Sequence, residues 1–98
     1  MKLDEFKASV ARQEPPSSLS IPLVALWWDM KGDRTQAHSL VDELETKDGM
    51  AVHAYLHRKE GQVANSDYWY QRAGREFYRP VLSDEWQTLA TALLSSAK

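Results

Sequence analysis

The sequence contains no cysteine, which excludes disulfides, a thiolate nucleophile and any cysteine-held metal. Glycine is scarce, four in 98 residues, and none sits in a phosphate-cradling GxxxxGKS or GxGxxG loop. No apolar run approaches the roughly 20 residues that span a bilayer. The opening stretch MKLDEFKASVARQ mixes charges and has no apolar segment of the signal-peptide kind. A cytoplasmic chain without membrane association is the expectation. Charge of one sign is also missing: 12 Lys and Arg stand against 14 Asp and Glu, a net charge of −2. That balance argues against general nucleic-acid binding, which leaves a basic footprint. Neither GxSxG nor HExxH occurs, and Asp42, Glu43 and Glu45 read as the solvated face of a helix. The sequence alone therefore assigns no catalytic residue, no cofactor and no metal.

What is present is an apolar share of 43%, enough for one compact core, in a pattern that is helical throughout. Leu3, Phe6 and Val10 predict an N-terminal helix within 1–13. EPPSSLSIP breaks it, giving a linker over 14–20 and a first helix free to pack loosely or to swap between chains. Ser20 is placed to cap a second helix, IPLVALWWDMK, which is apolar on nearly all sides. After Gly32 a third helix runs through Ala37, Leu40, Val41 and Leu44, and ETKDG ends it. A fourth spans about Met50 to Lys59, and a fifth runs from about Val63 to Ala73. REFYRP leads to a capping helix over 82–96, with Ser83 as N-cap and Asp84 and Glu85 suited to the helix dipole. Of the four tryptophans, Trp28 and Trp86 fall on apolar stripes and are expected in the core.

The second and third helices resemble the fourth and fifth. At an offset of 29 residues, Ala25 meets Ala54, Gly32 meets Gly61, Ala37 meets Ser66, Val41 meets Tyr70 and Leu44 meets Ala73. Each copy, 21–45 and 50–74, is a helix, a glycine turn and an antiparallel helix. On these residues the chain resembles the tetratricopeptide-repeat (TPR) family, although the offset is shorter than that family's usual period of about 34. The resemblance implies an all-α, TPR-like interaction module in which the first and last helices cap two hairpins. HAYLHRKEG followed by YWYQRAGR also resembles a group of short uncharacterised bacterial proteins. The fold expected is all-α, with five or six helices in a single domain.

The repeat exposes one chemical difference between its copies. His53 stands where the first copy has Val24, and His57 where it has Trp28. Four residues apart, both rings lie on one helix face and can address one ligand, or else hydrogen-bond to their surroundings as packing. A metal would need a third ligand, which His38 on the preceding helix could in principle supply. Arg58, Lys59, Arg72, Arg75 and Arg79 give residues 53–79 about +2, against −4 for the rest. Tyr68, Trp69 and Tyr70 fan around more than half of one helix, so at least one faces outward beside arginine, the composition of interface hot spots. These residues predict a non-catalytic binding module. Its groove is lined by Trp28, His53, His57, Tyr68, Trp69, Arg72 and Arg75, for an acidic or carboxylate-bearing protein or peptide, or a small anionic ligand. A homodimer is one way to cover the surplus aromatic surface. The alternative is a small-molecule or metal-binding protein, or an enzyme, with His53 and His57 in its pocket.

Overall fold

The computed structural model describes residues 1–75 and 81–96. It is all-α, with six helices among the described residues: α1 (Leu3–Ser9), α2 (Ile21–Lys31), α3 (Arg34–Val41), α4 (Lys47–Lys59), α5 (Val63–Arg72) and α6 (Leu82–Ser96). Most of the REFYRP connection, with Glu76 and Arg79, lies outside the described residues.

The two hairpins repeat down to their hydrogen bonds. Gly32 closes α2 with φ +97°, and the Asp33 N–H donates to the Trp28 carbonyl at 2.9 Å. Gly61 closes the α4 turn with φ +82°, and the Gln62 N–H donates to the His57 carbonyl, also at 2.9 Å. Both are left-handed caps of the Schellman type, a conformation that glycine adopts without strain. The small residues at the repeat positions, Ala25, Ala37, Ala54 and Ser66, are all buried. The Ser66 hydroxyl donates to the Ala54 carbonyl at 2.8 Å, tying α5 directly to the backbone of α4.

Helix α2 lies at the centre, as its all-round apolar sequence requires. Leu23, Ala25, Leu26 and Trp27 are fully buried. Of the adjacent tryptophans it is Trp27 that fills the core, while Trp28 is half-buried at its margin. The Trp27 indole N–H donates to the Ser9 hydroxyl at 3.0 Å, and that hydroxyl donates to the Phe6 carbonyl. Phe6 in turn stacks on Trp86 of α6, with ring centroids 5.7 Å apart. The Lys31 ammonium donates to the carbonyls of Val10 and Arg12. The first helix is therefore docked by buried aromatic and polar contacts, not loosely attached.

Three helix ends differ from the sequence reading. α3 stops at Val41, and ETKDG does not end it but begins the next helix. Thr46 is the N-cap of α4, its hydroxyl accepting from the Gly49 N–H at 3.0 Å. A glycine inside a first turn is tolerated when the cap satisfies its amide. Ser83 lies in the first turn of α6 and not at its cap; the Val81 carbonyl accepts from the amides of Asp84 and Glu85. Glu85 does more than complement the helix dipole, for it is buried and paired with Arg58 at 2.6 Å. No described helix is long and apolar enough to cross a membrane.

Candidate functional site

Helix α4 is buried from Gly49 through Leu56, so a polar side chain on its inner face must find partners within the protein. Two pairs of charges do this at its C-terminal end. Lys59 reaches the buried Asp29 carboxylate at 2.8 Å, which also accepts from the Tyr55 hydroxyl at 3.0 Å. Arg58 pairs with Glu85, which also accepts from the Tyr70 hydroxyl. Burial, and then the neighbouring carboxylate, push both phenols well above the usual tyrosine range. These are neutral donors serving buried anions.

His57 immediately precedes those charges, and His53 lies one turn earlier on α4. Their rings stack with centroids 4.6 Å apart, and their Nε2 atoms are 3.0 Å apart. His38 of α3 meets both rings edge-on, each at 4.9 Å between centroids. Among the described residues, His38, His53 and His57 form a group in which one nitrogen from each ring lies within 4.8 Å of the others. His53 is buried, and the other two are half-buried.

Two residues outside the group orient it. The Asp42 carboxylate lies 2.9 Å from His38 Nδ1 and 3.6 Å from His53 Nε2. The Gln62 side-chain oxygen lies 2.6 Å from His57 Nδ1. Both oxygens accept, so the protons of His38 and His57 sit on Nδ1 and each Nε2 keeps its lone pair. The His53 Nε2–H then donates to His57. That leaves His38 Nε2 and His53 Nδ1 buried and without a hydrogen-bond partner. Burial, and then the neighbouring His57 and His38 rings, lower the His53 pKa from 6.5 to about 4, against the opposing pull of Asp42. At neutral pH His53 is an uncharged imidazole.

No protein-family model matches this chain, and no curated protein or solved structure gives a significant match. The site must be read from its own residues.

An aromatic layer covers the histidines. Trp69 of α5 stacks on His53 at 4.4 Å between centroids, and Tyr68 meets Trp69 edge-on at 5.2 Å. The Arg72 guanidinium lies over both rings, 5.0 Å from that of Trp69 and 5.8 Å from that of Tyr68. Five of the seven predicted site residues thus form one connected patch: His53, His57, Tyr68, Trp69 and Arg72. Trp28 and Arg75 are not brought into it by any ring contact among the described residues. Trp28 borders a separate depression of about 670 Å³ at the α2–α3 turn. Arg75 is exposed just beyond α5, its backbone N–H donating to the Tyr70 carbonyl. The sequence reading gave no site role to Asp42 or Gln62. The available signal for Asp42 was its spacing, four residues after His38 on one helical face. Gln62 had no comparable signal, because its reach to His57 depends on the turn closed by Gly61.

Proposed function

We propose that this chain is a non-catalytic binding module, cytoplasmic in setting, that engages an acidic or carboxylate-bearing protein or peptide through the α4–α5 face. The observation that carries the reading is Arg72. Its guanidinium carbon stays within about 6 Å of the ring centroids of both Trp69 and Tyr68, yet no carboxylate pairs with it among the described residues. An arginine held on aromatic faces keeps its planar donor fork prepared for a bidentate carboxylate. Tyr68, 54% exposed beside it, supplies the apolar contact that interface anchors use. The twin hairpins support a TPR-like reading, in which one helical face would meet a partner chain.

The test is calorimetric titration with acidic peptides, free and amidated at the C-terminus, using wild type and Arg72→Gln. Binding that weakens at least about tenfold in the variant supports the reading, since truncating a charged interface anchor costs roughly 2 kcal/mol or more. Equal affinity in both proteins, or no peptide binding at millimolar concentration, overturns it. Sedimentation equilibrium is the companion measurement: a second copy of the chain as partner shows as a concentration-dependent homodimer.

A further inference from the structure

We propose that His38, His53 and His57 form a binding site for one divalent transition-metal ion of the zinc, nickel or copper kind, with Asp42 and Gln62 as the residues that orient its ligands. The inference is independent of the acidic-partner reading and stands or falls without it.

The first argument is spacing. Two nitrogens bound to one tetrahedral ion at 2.0–2.1 Å lie about 3.3 Å apart. His53 and His57 already hold their Nε2 atoms at 3.0 Å, so a small rotation of either ring opens room for an ion. His38 brings a third nitrogen from a different helix within 4.8 Å. Packing alone has no need to gather three imidazoles from two helices into mutual contact, since a single apolar side chain would fill each place more cheaply.

The second argument is an unpartnered ligand atom, His38 Nε2. A buried nitrogen with no partner carries a desolvation cost of about 1–3 kcal/mol, and here His38 Nε2 and His53 Nδ1 are both in that state. On the surface of a metal ion the His38 lone pair gains the partner it lacks. The third argument is the outer layer. Metal-bound imidazole characteristically donates its other N–H to a carboxylate or carbonyl oxygen. His38 does so to Asp42 at 2.9 Å, and His57 does so to Gln62 at 2.6 Å.

The donor set fixes the class of ion. Three imidazole nitrogens suit zinc, copper and nickel, whereas calcium and magnesium require an oxygen cage that this site does not offer. The route in is short. A surface depression of about 320 Å³, bordered by Arg34, Thr35, His38 and Asp42, opens beside the group. Binding displaces the proton that lies between the Nε2 atoms of His53 and His57; it moves to His53 Nδ1, so all three ligands remain neutral imidazoles.

The experiment uses the full chain, expressed without a histidine tag and stripped with a chelator. Zinc and cobalt are titrated by calorimetry, and the visible spectrum of the cobalt form is recorded. The expected result is one ion per chain, no competition from magnesium or calcium, and an intense cobalt spectrum of the four-coordinate type. His38→Gln and His57→Gln lie at half-buried positions, so they remain usable if the buried His53 variant fails to fold. Each should lower zinc affinity at least tenfold, and Asp42→Asn should lower it about 10–100-fold, as loss of an orienting partner does. Wild-type affinity in both histidine variants would overturn the site, as would the absence of stoichiometric binding at 10-fold excess of ion over about 10 µM protein.

Discussion

The burial of His53 can be weighed by acid. In the folded, metal-free chain its pKa falls from 6.5 to about 4, first through burial and then through the His57 and His38 rings beside it. Between those two values the unfolded chain holds a proton on this imidazole and the folded chain does not. The unfolded state therefore binds more protons, and stability rises with pH across the window. The contribution is complete above pH 6.5 and is lost progressively as pH falls toward about 4. Each pH unit is worth about 1.4 kcal/mol, so the span amounts to roughly 3 kcal/mol at most. That is a large share of the 5–15 kcal/mol typical of a domain. Urea unfolding followed by circular dichroism, with chelator present, measures it at steps from pH 7.5 to 5. His53→Leu, close in volume and unable to titrate, supplies the reference. Wild type should lose stability more steeply than the variant between pH 6.5 and 5, by about 1.4 kcal/mol per unit at the steepest. Parallel pH dependence in the two proteins would refute the reasoning, because His53 would then carry its proton as readily folded as unfolded.

Further outcomes follow from the packing. Arg58→Met leaves the buried Glu85 carboxylate, among the described residues, with the Tyr70 hydroxyl as its remaining side-chain partner and should cost about 3–5 kcal/mol by chemical denaturation. Adding Glu85→Gln to it should recover part of that loss. Gly49→Ala would place a methyl 2.7 Å from the Leu44 side chain and 3.0 Å from the Thr46 hydroxyl, displacing the cap of α4. A loss of about 1–3 kcal/mol is expected, with the midpoint of thermal unfolding as the readout. Gly32→Ala and Gly61→Ala meet no atom within 4 Å, so only the left-handed backbone resists them. Each should cost about 1 kcal/mol, and the double variant should show the two costs adding.

The helical hairpins were legible because their signals are local. Gly32 and Gly61, with small residues at matched distances, specify a turn and a close crossing wherever they occur. The errors arose where local signals competed or where the partner was distant. ETKDG contains both a helix-ending glycine and a helix-starting threonine, and only the Thr46 hydroxyl on the Gly49 amide decides between them. Trp27 and Trp28 cannot be ranked by periodicity on a helix that is apolar all round; the Ser9 hydroxyl, 18 positions earlier, selects Trp27. Within the candidate site the stacking of His53, Trp69 and Arg72 joins residues that sequence had already placed together. His38 was legible as a possible third ligand and Asp42 only by its spacing from His38; that both face His53 depends on the packing of α3 on α4, which no local pattern encodes.

Arg58 and Lys59 are consecutive, so their side chains leave α4 about 100° apart. One fastens to Glu85 of α6 and the other to Asp29 of α2. A helix held by two charges on different sides has a fixed phase: turning it by one residue, or sliding it by one turn, would unpair both carboxylates at once. Apolar contacts alone would tolerate such a slip far better. The bearing of His53 and His57 toward α3 and α5 is thus set from the end of the same helix, by anchors whose charges pair with α2 and α6 and not with the imidazoles.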